Sequence, residues 1–161
     1  MNGDPRPTCA LTIAGSDSGG GTGIQADIKT ITALGGYAAT AITAVTVQNT
    51  LGVTGVHPIP LHVIAAQARA VLDDIGADAI KTGMLGDAAV VETVAAAIDH
   101  AKGVPVVIDP VMVAKGGASL LAEAAIGAVK SLMIPRAALL TPNAPEAAAL
   151  TGLMVETTDD L

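Results

Sequence analysis

Five polar clusters in this sequence carry residue types suited to binding and group-transfer chemistry, and each follows a short apolar run. They are Gly15-Ser-Asp-Ser-Gly-Gly-Gly-Thr-Gly23, Gln48-Asn-Thr50, Lys81-Thr-Gly-Met84, Asp109-Pro-Val-Met112 and Thr141-Pro-Asn-Ala-Pro-Glu146. Asp109 comes straight after Val106-Val-Ile108, where a carboxylate can orient a metal or a reacting hydroxyl. Between Arg69 and Lys102, Lys81 alone carries a Lys or Arg charge. It is either a solvated lysine or a cation placed at a strand end. Gln48 ends a nearly apolar segment, where an amide can both donate and accept in fixed geometry or lie satisfied in the interior. Asp27 is placed in the first turn of an expected helix, where an acid also suits the helix dipole. Asn143 and Glu146 have the spacing of a capping box, Asn as cap and Glu reaching back.

The glycine-dense segment 15–23 holds five glycines and invites two familiar readings. A phosphate-binding P-loop needs Gly-Lys-Ser/Thr at its end, but Gly21-Thr22 stands here without a lysine. Gly21-x-Gly23-x-x-Ala26 fits a relaxed dinucleotide fingerprint, yet after Asp27 the next acidic residue is Asp73, so no carboxylate follows at ribose-binding distance. What remains is a flexible, backbone-exposing loop ahead of a helix, suited to an anion or a close-fitting ligand, or else a tight turn needing positive φ. Asp27 and Gln48 together at one sheet edge would complement an aminopyrimidine, with its ring nitrogen, exocyclic amine and hydroxyl. His57, His62 and His100 lack helical metal spacing and are expected to bind no metal.

These clusters need elements to position them. Cys9–Ala14 is expected as a buried strand, and Ile24–Leu34 as a helix with Ile24, Ile28, Ile31 and Leu34 on one stripe. Tyr37–Val47 is expected as a second strand running into Gln48-Asn49, and Leu51–Val56 as a short extra one ended by Pro58 and Pro60. Helices are expected over Leu61–Ile75, Asp87–Ala101, Glu123–Met133 and from Pro145, with strands at Ala77–Thr82, Val104–Ile108 and Ala137–Leu140. Strands alternating with helices call for βαβ crossovers, hence an α/β fold with a mostly parallel sheet covered by helices on both faces. Ligands of such sheets bind beyond the C-terminal strand ends, where all five clusters fall.

Composition bounds the answer. The 161 residues suit one domain and are 51% hydrophobic, with one Tyr and neither Phe nor Trp. The net charge is −7 and the pI about 4.6, which opposes nucleic-acid binding, since no aromatic platforms or basic groove are available. Cys9 is the sole cysteine, so no disulfide forms within the chain, in keeping with a reducing cytoplasm. No apolar stretch is long enough to span a membrane, and the first residues carry no signal-peptide pattern.

Five blocks together resemble a known family: Ala10–Thr30, Ile42–Val53, Asp73–Leu85, Val106–Gly117 and Leu139–Leu150. In order and spacing they are similar to hydroxymethylpyrimidine/phosphomethylpyrimidine kinases, from about Cys9 to Gly152. The resemblance implies a ribokinase-like three-layer sandwich and two ATP-dependent steps in thiamine biosynthesis. The first phosphorylates 4-amino-5-hydroxymethyl-2-methylpyrimidine, the second its monophosphate. It further implies that Gly15, Asp27, Gln48, Met84 and Val111 line the pyrimidine pocket. Lys81, Asp109 and Asn143 would lie toward the ATP phosphates, with Glu146 toward Mg2+, and the protein would be a cytoplasmic homodimer. Family members run on past the point where this chain stops, through a Gly-Thr-Gly-Cys-like loop that activates the hydroxyl. No such loop occurs here, so the resemblance implies one domain over 1–161 with its C-terminal part missing, an exposed sheet edge and no catalytic residue of that loop.

Three alternatives compete with this reading: a pyridoxal kinase of the same fold, a non-catalytic pyrimidine-binding module, and a dinucleotide-dependent oxidoreductase. Only the relaxed glycine spacing supports the last.

Overall fold

The computed structural model describes residues 6–112 and 123–155. Val113–Gly117, the end of the fourth sequence block, lies outside them. The elements run β1 (Cys9–Ala14), α1 (Gly23–Ala33), β2 (Tyr37–Ile42), β3 (Ala44–Asn49), β4 (Gly52–Pro58), α2 (Leu61–Ala70), β5 (Ala79–Thr82), α3 (Ala88–His100), β6 (Val106–Ile108), α4 (Glu123–Ala128), β7 (Leu139–Leu140) and α5 (Ala144–Thr151). Single π-helical turns extend α2 over Val71–Ile75 and α4 over Val129–Met133. The expected α/β alternation is thus present.

Five strands form a sheet in the order β2-β1-β5-β6-β7, every described pair parallel. Strand alternation sorts the side chains into two layers. Cys9, Leu11 and Ile13 of β1, Ile80 of β5, and Val106 and Ile108 of β6 are at most 2% exposed and pack into one core. That core takes Ile64 and Ala68 from α2, Val90, Val91, Val94 and Ile98 from α3, and Ala125 from α4 with Val129 and Met133 after it. Small aliphatic side chains suffice because the helices lie close on the sheet; burying each such side chain contributes roughly 1.5–3 kcal/mol before chain entropy is subtracted. The opposite parity, Thr12 and Lys81, meets Asp27 of α1 on the other face. Helices therefore cover both faces.

Three sequence expectations are corrected. The segment from Tyr37 to Asn49 is not one strand. It breaks at Thr43, which is 2% exposed, accepts from Ile59 N, and donates from its N to Ala14 O and from its hydroxyl to Met84 O. Beyond this pivot β3 leaves the main sheet and pairs antiparallel with β4 as a separate ribbon. The apolar stripe of α1 is not buried along its length: Ile24 is, but Ile28 and Leu34 are exposed, and α1 packs mainly on β1 and β2. Finally, α1 begins at Gly23, so Asp27 lies in its second turn and does not cap it. On the α1 side Leu139 of β7, which pairs with Val107, is exposed, as expected of an uncovered sheet edge. No helix among the described residues is long and apolar enough to cross a membrane.

Candidate functional site

A cavity of about 450 Å3 opens where the C-terminal ends of β1, β5 and β6 meet the β3–β4 ribbon. Its size falls in the usual range for a small-molecule site. Four of the five polar clusters line it: the glycine turn, Gln48-Asn49-Thr50, Lys81 with Gly83-Met84, and Asp109 with Val111. Thr43 makes this possible, since its turn carries the ribbon out of the sheet and over the strand ends.

The glycine turn is organised from within. Asp17, 4% exposed, accepts hydrogen bonds from Gly19 N at 2.7 Å through Oδ1. Its Oδ2 accepts from Gly21 N at 2.9 Å, Thr22 N at 2.8 Å and Thr22 Oγ1 at 3.1 Å. Burial works against ionising this carboxyl, but the amides of Thr22, Gly19 and Gly21 and the Thr22 hydroxyl outweigh it and hold it below the ordinary carboxylate value. A buried carboxylate thus already occupies the amides of Gly19, Gly21 and Thr22, and the turn has the positive φ at Gly20 and Gly23 that the alternative of a tight turn requires. One glycine is required sterically, and another closely faces Met84. Gly23 has φ +56°, and a Cβ there would collide with the Gly15 carbonyl oxygen. A Cβ on Gly15 would lie 2.5 Å from Met84 Cε.

Gln48 sits at the end of β3, beside a register shift in which Val47 pairs with Gly55 and Gln48 with Val53. Such a bulge re-aims a side chain. Its backbone is clamped to the glycine turn: Gln48 N donates to Ser18 Oγ at 2.8 Å, and Ser18 Oγ donates to Gln48 O at 2.6 Å. The side chain donates from Nε2 to Thr22 Oγ1 at 3.2 Å, and Oε1 lies 3.3 Å from Thr46 Oγ1.

The charged floor is a three-membered cluster. Lys81 Nζ lies 3.2 Å from Asp27 Oδ2 and 3.6 Å from Asp109 Oδ2, while Asp27 Oδ2 also accepts from Thr12 Oγ1 at 2.5 Å. All three charged side chains are partly exposed, between 19% and 33%. Burial pushes the Asp109 carboxyl above its ordinary value; Lys81 opposes the rise and Asp27 adds to it. The Asp109 backbone is fixed by donation of its N to Thr82 O, which holds the carboxylate just past the strand end. Asp27 itself does not line the cavity; it stands behind Lys81 and holds the ammonium in place.

Of the sequence-derived site residues, Gly15, Gln48, Met84, Val111, Lys81 and Asp109 line one cavity. Asn143 and Glu146 do not. They form a capping box on α5: Asn143 Oδ1 accepts from Glu146 N at 3.0 Å, and Glu146 Oε2 accepts from Asn143 N at 2.9 Å. Oε1 of Glu146 accepts from Met112 N at 3.4 Å, and the residue is 5% exposed. Both Glu146 oxygens thus accept from backbone amides, away from the cavity. No group of three or more His, Cys, Asp or Glu among the described residues is arranged to hold a metal ion. Sequence reasoning missed Asp17, Thr22, Thr46 and Ser18. The signal for Asp17 was present, since an Asp followed two residues later by Gly is the pattern of a side chain capping its own turn.

The chain's similarities agree with this geometry. A family model described as phosphomethylpyrimidine kinase matches residues 17–161. The hydroxymethylpyrimidine/phosphomethylpyrimidine kinase of Bacillus subtilis (strain 168) is 55% identical over 151 residues, covering 94% of this chain and 56% of that protein. A crystal structure of phosphomethylpyrimidine kinase from Clostridium difficile 630 superposes with a TM-score of 0.88 at 41% identity, over 95% of this chain and 66% of that one. An ADP complex of Bacillus subtilis pyridoxal kinase superposes with a TM-score of 0.86 at 42% identity, over 96% of this chain and 59% of that one. The chain thus spans a little over half the length of this curated relative.

Proposed function

Since the chain belongs to the phosphomethylpyrimidine kinase family and has the ribokinase-like α/β fold, we propose that the protein carrying it phosphorylates a hydroxymethyl-aminopyrimidine with ATP, and then its monophosphate, for thiamine biosynthesis. The observation that carries this is the single cavity that sets the Gln48 amide on one wall and the Lys81–Asp109 pair at another. A neutral ring with donor and acceptor edges suits the first. A reacting hydroxyl suits the second, where the Asp109 carboxylate can orient it and Lys81 balances part of the Asp27 and Asp109 charge. Gly15, Met84 and Val111 shape the wall around the ring. Transfer of this kind rests on positioning and charge neutralisation, which these residues provide.

Asp27 acts behind the cavity, fixing Lys81. Asn143 and Glu146 act by anchoring α5 and Met112 next to Val111. Mg2+ would enter with the ATP phosphates; the described residues offer no closed ligand set for it, and no step is assigned to the metal. A cytoplasmic homodimer fits the reading, with Val45, Val47 and Val56 of the ribbon exposed for a second copy.

The test is a phosphorylation assay of the protein carrying this chain, with Mg-ATP and either 4-amino-5-hydroxymethyl-2-methylpyrimidine or pyridoxal. Turnover of the pyrimidine supports the proposal. Turnover of pyridoxal alone would replace it with the second reading, which the similarity to a pyridoxal kinase structure favours. Pyrimidine binding without transfer would leave a binding module.

A further inference from the structure

We propose that Asp17 and Thr22 are positioning residues that fix which way round the Gln48 amide faces, and so make the cavity select a ring edge with an acceptor beside a donor. The inference rests on the reading of Gln48 as the residue that meets the ring, and explains how a side chain with two interchangeable ends becomes selective.

The argument is one of proton counting. An ionised carboxylate only accepts, and Asp17 takes three backbone N–H groups in addition to the Thr22 hydroxyl. A hydroxyl has one proton, and Thr22 gives it to Asp17 at 3.1 Å. The Thr22 oxygen is then left only with lone pairs toward Gln48, so the amide must offer Nε2, at 3.2 Å, rather than Oε1. On the other side, the Thr46 hydroxyl shares its proton between Ser16 O at 2.7 Å and Gln48 Oε1 at 3.3 Å, so it meets the amide at its oxygen and leaves the second lone pair of Oε1 open. The amide therefore retains one N–H and a lone pair of Oε1 for the cavity, in a set order. An aminopyrimidine edge, with ring nitrogen accepting and exocyclic amine donating, fits that order. The corresponding pyrimidinone, with ring N–H donating and exocyclic oxygen accepting, requires the amide reversed. The low ionisation range of Asp17 keeps the first member of the chain in its accepting form at neutral pH.

The experiment measures, by calorimetry on the protein carrying this chain, the affinity ratio between 4-amino-5-hydroxymethyl-2-methylpyrimidine and its 4-oxo analogue. Thr22→Val keeps the side-chain shape but removes the hydroxyl, freeing Gln48 to turn. The ratio is expected to fall about tenfold, the size of one neutral hydrogen bond, and Thr22→Ser is expected to restore it. Thr22 is exposed, so the valine variant is expected to fold, which a melting curve verifies. Gln48→Ala should abolish the preference. If Thr22→Val keeps the wild-type ratio while Gln48→Ala loses it, the positioning role is overturned and the reading of Gln48 survives. If Gln48→Ala leaves both affinities unchanged, the underlying pyrimidine reading falls, and the inference with it.

Discussion

Lys81 Nζ lies 3.6 Å from Asp109 Oδ2 across the ends of two adjacent parallel strands. The pairing opposes the desolvation that raises the Asp109 carboxyl above its ordinary value. Replacing Lys81 with Met should therefore move Asp109 further up. Activity that needs the Asp109 charge rises with pH through its native value, which stands above 3.8, and that acid limb should shift to higher pH in Lys81→Met. Loss of a charge-assisted contact of about 1.5–3 kcal/mol corresponds to a fall in kcat/KM of about 10- to 100-fold. A pH profile of kcat/KM in both proteins measures this.

Asp109 also links pH to stability. Its native form binds protons more readily than the unfolded chain, so its contribution to stability is fully present below 3.8 and declines as pH rises toward the native value. Asp109→Asn should flatten that decline in thermal melts taken across the window.

Asp17 has the opposite sign. Its carboxyl is lowered in the folded protein, so the stability it contributes is present above 3.8 and lost as pH falls through the native value. Asp17→Ala leaves three turn amides without their acceptor, at about 1–3 kcal/mol for each group that stays buried. Denaturant unfolding at neutral pH should report the loss, and the difference from wild type should narrow in strong acid.

Gln48→Ala should weaken pyrimidine binding by about 1–3 kcal/mol while leaving the melting temperature near wild type, because the residue is half-exposed and its backbone clamp to Ser18 does not involve its side chain. Calorimetry with the pyrimidine checks the affinity.

Asn143→Ala should cost about 1 kcal/mol of stability, the worth of a helix cap, with little change in the KM for ATP. A large rise in that KM would return Asn143 to the nucleotide.

Much of this molecule is legible in its sequence because its signals are local. Val106-Val-Ile108 ahead of Asp109 and the helix expected from Asp87 depend on neighbours a few residues away; the strand stands, and the helix runs over Ala88–His100 with Asp87 as its cap. The break at Thr43 was not legible: the Thr- and Val-rich run from Tyr37 suits continuous extension, and only the distant Ala14, Ile59 and Met84 groups bend it. The same limit applies to Asp27, whose partners Thr12 and Lys81 are separated from it by 15 and 54 residues. Asn143 and Glu146 illustrate the converse, since spacing alone described their capping and only the family likeness suggested more.

The filled interior of the glycine turn gives the cavity a direction. An anion arriving at that end meets Gly19, Gly21 and Thr22 amides that already have a partner, and a carboxylate that repels it. On the proposed function, that end of the cavity would receive the flat uncharged head of the substrate in both transfers, and leave any phosphorylated tail to the rest of the cavity.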